Sequence, residues 1–245
     1  MKYKTVTLED VRKNDSFAAL IRSANDCLSV LGYTEHGLRH VGYVSKTSGN
    51  ILRELGYDAR SVELAEISGW IHDIGNSINR HRHGGSGALL AFNILSEMGM
   101  RPDEIATVIS AIGSHEEETG TPVNPVSAAL ILADKSDAHR TRVRRGQYNP
   151  DDIHDRVNLS IKKNYIVVDR ENQVIKLVLY MDDLSSPMEY FQIYMSRMIL
   201  SEKAAALLGC KFQLVINDVV INNHGKVDAR LILKETESNV SEENE

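Results

Sequence analysis

GWIHDIGNSINRHRH, residues 69–83, sets His72 and Asp73 at the end of an apolar segment, then a glycine, then His81 and His83. The stretch is either a metal site or a helix end followed by a polar loop. The residues before it, LAEISGWI, must pack inside, so the polar pair leaves the core at a helix end. Burying two ionisable groups there is costly unless they have partners. A second His-Asp pair, His154-Asp155, sits in PDDIHDRV, a charged helix face where both groups can be solvated, and is expected at the surface.

Partners for the first pair are sought where other His or acid residues interrupt apolar helical segments. His40 lies on a helix expected from about residue 35 to 55. His83 precedes GALLAFNIL, His115 ends ATVISAIGSH, and Asp134 follows AALILA. Each can turn inward to one cavity. Imidazole and carboxylate suit Zn, Mn, Fe, Ni or Co. One tetrahedral ion takes about four ligands, so this set fits two divalent transition-metal ions sharing one carboxylate, with Asp73 as the natural bridge.

Working outward, the first two-thirds of the chain reads as helices. Thr7 and Asp10 can cap the first, and SFAALIRSANDCLSVLG has helical apolar spacing that stops at Gly32. Further helices are expected over 35–55, 59–74, 87–99, 102–115 and 126–143, with Gly56 as a stop and Pro102 as a start. The composition shifts near Gly146. PDDIHDRVNLSIKKN fits one more helix, NYIVVDRENQVIKLVLYMD two β runs around a polar turn, residues 187–209 a long helix, and KFQLVINDVVI one strand. The fold class is therefore mostly α: a helical bundle over residues 1–146, a small α+β unit (β-β-α-β) over 147–234, and an acidic tail over 235–245, expected to be disordered.

Of 245 residues, 42% are hydrophobic, enough for a substantial core, and the net charge is −6. No global basic field draws in nucleic acid or an anionic membrane. Cys27 and Cys210 lie far apart and form no metal pattern, as in a reduced cytoplasmic protein. The N-terminus has no apolar signal core, and no segment approaches the roughly 18 consecutive apolar residues of a membrane span.

The combination of His40, His72-Asp73, His83, His115 and Asp134, carried by HDIG, HGGSGA, SHEE and LILADKSD, resembles the HD-domain metal-dependent phosphohydrolases. The layout is close to the HD-GYP branch over residues 35–145. HGGSGA fits the family's H-x-x-x-G-A, which favours His83 over His81 as the ligand. His36 and His40 share a helix face, and the separation from His72 favours His40. The chain departs from the family at three places. Asn76 stands where Lys often follows HDIG, Ser114 where HD-GYP proteins carry another His, and TPVNP follows HEEETG in place of Gly-Tyr-Pro.

The resemblance implies metal-dependent hydrolysis of a phosphate ester, of a nucleotide or related small molecule, by water activated between two ions. His40, His72, Asp73, His83, His115 and Asp134 would be the metal ligands. Asp73 would bridge, and Asp137 or Glu116 would orient the water. His36, Asn76, Arg80, Lys135 and Arg142 are candidate substrate contacts, since Arg reads phosphate bidentately. A small-molecule ester is the expected partner; no membrane and no nucleic-acid polymer is expected, and homodimerisation is open. The alternative is a regulatory or nucleotide-sensing module that keeps the metals with little or no turnover.

Overall fold

A computed structural model describes residues 3–144, 146 and 148–222. The expected acidic tail, 235–245, lies outside the described residues. The architecture is mostly helical with a small sheet at the C-terminal side. Helices α1 (Leu8–Lys13), α2 (Asp15–Val30), α3 (Leu38–Leu55), α4 (Ala59–Ile71), α5 (His83–Glu97), α6 (Pro102–Gly113) and α7 (Pro125–Lys135) come first. Then follow α8 (Ile153–Ser160), β1 (Ile161–Asp169), β2 (Val174–Met181), α9 (Pro187–Leu207), β3 (Lys211–Ile216) and β4 (Val219–Val220). No helix among the described residues is long and apolar enough to cross a membrane.

Local chemistry sets the helix ends. Thr7 and Asp10 close a capping box on α1, Asp58 caps α4, and Ser186 with Glu189 forms the same box on α9. Pro102, Pro125 and Pro187 open their helices, where the missing N–H costs nothing. Gly69 lets α3 and α4 approach closely: a Cβ there would lie 2.7 Å from the backbone nitrogen of Ser45.

The expected helix 126–143 stops at Lys135. Asp137 then turns back toward α3 to meet three cationic or N–H donors, and this tertiary demand overrides helical continuation. The expected helix 150–164 is shorter at both ends, and Ile161 begins β1 instead. The last expected strand is a hairpin. Asn217 and Asp218 take positive φ (49° and 67°) and turn the chain between β3 and β4. Asn and Asp tolerate that region better than other residues that carry a β-carbon, and such a pair is a hairpin signal.

The sheet order is β1-β2-β3-β4, with β2 and β3 parallel and the outer pairs antiparallel. Parallel neighbours need a crossover, and α9 supplies it. It packs on β3 and on α7. One hydrophobic cluster therefore runs from Leu130 and Ile131 of α7 to Tyr190 and Met198 of α9. This contact brings the C-terminal part beside the loops that hold His72, His83 and His115.

Candidate metal centre

Five helix ends converge on one point. His40 is in the first turn of α3, His72 caps the C-terminus of α4 and Asp73 follows it. His83 opens α5, His115 follows α6, and Asp134 is in the last turn of α7. The HDIG turn is held against the start of α5, where a Cβ on Gly75 would collide with the His83 carbonyl oxygen. His40, His72, Asp73, His83 and His115 are all buried.

The six groups form two halves joined by one carboxylate. His40 Nε2 and His72 Nε2 are 3.3 Å apart, and His83 Nε2 and His115 Nε2 are 3.1 Å apart. Asp73 Oδ2 faces the first pair at 3.5 and 3.4 Å; its Oδ1 faces the second at 3.3 and 3.8 Å. Asp134 Oδ1 completes the first half, 3.4 Å from His40 and 3.6 Å from His72. His40, His72 and Asp134 are close enough to share one ion, as are His72, Asp73 and His115.

The outward nitrogens fix the tautomers. His72 Nδ1 donates to the Gly69 carbonyl at 3.0 Å, and His115 Nδ1 to that of Ile112 at 2.6 Å. His83 Nδ1 lies 3.0 Å from the Arg80 carbonyl and 2.8 Å from Glu116 Oε1. His40 Nδ1 donates to Asp137 Oδ2 at 2.6 Å. Each ring then turns its Nε2 inward. Two Nε2 atoms about 3 Å apart need a proton or a cation between them. Asp73 Oδ2 is buried with no hydrogen-bond partner. Orphaned buried oxygen beside paired imidazole nitrogens is what a divalent cation satisfies, and the outward hydrogen bonds are the usual second layer of such a site.

The titration behaviour has the same origin. Burial and Arg142 push the His40 pKa down, but the carboxylates of Asp134, Asp137 and Asp73 outweigh them and raise it to about 9. Burial lowers His115 to about 4. Burial alone would raise Asp73 and Asp134. Instead both are held well below the usual carboxylate range, Asp73 by the surrounding histidines and Asp134 by Lys135 first, then His40 and His72. The cluster thus keeps Asp73 and Asp134 ionised, the form in which a carboxylate binds a metal.

The other expected residues surround this cluster. Asn76 Nδ2 donates to Asp73 Oδ1 at 2.9 Å, fixing the bridge, and Arg80 donates to Asn76 Oδ1 at 3.3 Å while lying over the Tyr33 ring. Lys135 Nζ donates to Asp134 Oδ2 at 2.6 Å. Asp137 lies behind His40, fully buried and clamped by Arg39 and Arg142. Arg142 also donates to His36 Nε2 at 2.8 Å. Burial and this arginine hold His36 well below its ordinary pKa, so it stays neutral. Glu116 accepts from the Gly84 N–H at 2.7 Å.

A cavity of about 530 Å³ opens over Asp73, Asp134 and His83. Its far wall comes from α8 and α9, through His154, Asp155, Tyr194 and Arg197. Arg197 pairs with Glu117 at 2.6 Å and stacks on Tyr194. His154 is exposed, as expected, but on this rim. Arg197 and Glu117 were not singled out from the sequence. Nothing local marks them, because only the packing of α9 on α7 brings them to the cavity.

No protein-family model matches the chain. Curated relatives do. The chain is 33% identical over 105 residues to ribonuclease Y of Lawsonia intracellularis, covering 43% of this chain and 18% of that protein. It is 30% identical over 138 residues to ribonuclease Y of Mycoplasma mycoides, covering 56% and 31%. The resemblance to the HD-domain superfamily holds. The chain spans less than a third of the length of these two relatives. Among solved structures, a predicted HD superfamily hydrolase from an uncultured Thermotogales bacterium aligns at 26% identity and a TM-score of 0.40, covering 51% of this chain and 67% of that one. An HD-domain layout implies divalent metal binding, and the paired imidazoles and orphaned Asp73 oxygen fit that requirement.

Proposed function

We propose that the chain is a metal-dependent phosphohydrolase that cleaves a phosphate ester of a nucleotide or related small molecule. One observation carries the reading. The two oxygens of Asp73 each face a separate pair of imidazole nitrogens, at 3.3–3.8 Å. His40, His72, Asp134 and Asp73 Oδ2 would hold one ion, and His83, His115 and Asp73 Oδ1 a second. Two divalent ions at such a site lower the pKa of water toward about 7 and offset the charge of a phosphate.

The protein's own residues do the rest. Asn76 keeps the Asp73 carboxylate from rotating, so both oxygens stay committed to their halves. Asp137 and Glu116 hold the His40 and His83 rings by their outer nitrogens, and we assign them to orienting the imidazoles. Lys135 takes one oxygen of Asp134 and leaves the other to the cluster. Net hydrolysis joins a water oxygen to phosphorus, breaks the ester P–O bond and protonates the leaving oxygen. The cavity volume admits a nucleotide-sized group beside the reacting phosphate.

The relatives favour a second reading of the substrate, since the proteins similar to this stretch are ribonucleases. RNA then replaces the small molecule, against the expectation drawn from net charge. Elemental analysis of the purified protein, followed by hydrolysis assays with the metal found, tests both. The substrates are nucleotides, p-nitrophenyl phosphate esters and a short single-stranded RNA. Full metal occupancy with no cleavage of any of them overturns the proposal and favours a sensing module.

A further inference from the structure

Arginine and lysine side chains line the cavity at Arg80, Arg82, Lys135, Arg142 and Arg197. Four are already engaged by protein. Arg142 is bound to Asp137, Thr34 and His36, and Arg197 to Glu117. Lys135 is bound to Asp134, and Arg80 to Asn76 and the Tyr33 ring. The guanidinium of Arg82 has no hydrogen bond or ion pair among the described residues.

The backbone at Arg82 is equally unusual. It takes φ 57° and ψ 33°, the left-handed region, immediately before α5. A β-carbon makes that conformation unfavourable, and glycine adopts it without penalty. Gly84 and Gly85 follow His83, so glycine is already used next to this turn. An exposed arginine held in a conformation better suited to glycine, next to His83 in sequence and lining the same cavity with an uncommitted charge, points to a role for the side chain.

We propose that Arg82 binds substrate, taking an anionic phosphate oxygen on the His83–His115 side of the cluster. The inference rests on the phosphohydrolase reading above. The cavity also carries Glu116, Glu117, Glu118 and Asp152 on its walls, so an anionic substrate is best met by a lining cation that no described protein group already holds. Arg82 is that cation.

Arg82→Gly separates the side chain from the backbone. Removing the Cβ relieves the left-handed residue, so the melting temperature holds or rises, and metal content by elemental analysis is unchanged. Affinity of the metal-loaded protein for inorganic phosphate, by titration calorimetry, falls roughly tenfold to a hundredfold, the range for a lost charged hydrogen bond. The specificity constant for the best ester falls with it, and Arg82→Lys restores part of both. Unchanged phosphate affinity in Arg82→Gly overturns the inference, as does loss of metal from that variant, which would mean that Arg82 seats His83. Failure of the wild-type protein to bind phosphate also overturns it. A wild type that binds phosphate through Arg82 but cleaves no ester instead removes the phosphohydrolase reading.

Discussion

Asp137 Oδ2 lies 2.6 Å from His40 Nδ1, on the side of the ring away from the cavity. Arg39 and Arg142 clamp the same carboxylate, so its charge is fixed and its geometry leaves the imidazole one orientation. Burial would raise the Asp137 pKa, but Arg142, His40 and Arg39 hold it far below the usual carboxylate range.

Asp137→Asn keeps the shape and removes the charge. Outer carboxylates on metal-bound histidines typically contribute about 10–100-fold in metal affinity. The variant should bind metal more weakly by about that factor in a chelator-competition titration, while remaining folded by circular dichroism. Wild-type affinity would show that the orientation of His40 does not depend on Asp137.

Asp73→Ala removes both faces of the bridge and should abolish metal retention and hydrolysis together. Asp155→Ala should leave metal content unaltered, because Asp155 accepts from the backbone N–H of Asn149 and belongs to neither group of candidate ligands. Elemental analysis of the two purified variants decides the point; equal loss in both would contradict the choice between the two His-Asp pairs.

His40 sets a pH window. Its folded pKa of about 9 exceeds the ordinary 6.5. Its protonated form therefore stabilises the metal-free protein fully below pH 6.5, and this contribution is lost as pH rises through about 9. The chelator-treated protein should melt at progressively lower temperature across that interval. Cations compete with the same proton, so metal affinity should rise over the same range. A melting temperature independent of pH between 6.5 and 9 would contradict this assignment.

Ions that bind only the native state add stability by mass action, about 2.7 kcal/mol at a hundred times the dissociation constant. Excess chelator should therefore lower the melting temperature of the metal-loaded protein by several degrees, and restoring the metal should reverse it. Differential scanning calorimetry with and without chelator measures the effect.

Gly69→Ala tests the contact that brings His40 and His72 together. The added methyl would meet Ser45 backbone atoms at 2.7 Å, and backbone cannot yield as a side-chain end can. Overpacking of this kind typically costs about 1–3 kcal/mol. A fall in unfolding free energy by urea denaturation is expected, with weakened metal binding as the helices separate. Wild-type stability would show that α3 and α4 have room to spare.

Much of this centre was legible before any coordinates. His72 and Asp73 end an apolar helix, and His40, His83, His115 and Asp134 each interrupt or border one, so burial economics alone pointed to a shared partner. The helix starts at Pro102 and Pro187 followed from local chemistry, and α7 begins at Pro125, one residue before the expected start. The end of α7 did not, because Lys135 stops that helix only so that Asp137 can reach Arg39, Arg142 and His40, all remote in sequence. The turn at Asn217–Asp218 carried a local signal that an uninterrupted strand reading passed over. The wall formed by Tyr194 and Arg197 had no local signal, since it exists only through tertiary packing.

That wall has a consequence for how such a protein can diverge. The clustered imidazoles and carboxylates come from one stretch of chain, and the side chains facing them across the cavity come from another joined to it through α7 and α9. Substitutions on α9 can therefore reshape what enters the cleft while leaving every imidazole undisturbed. Under the proposed function, reactivity and selectivity would then be inherited from different parts of the polypeptide.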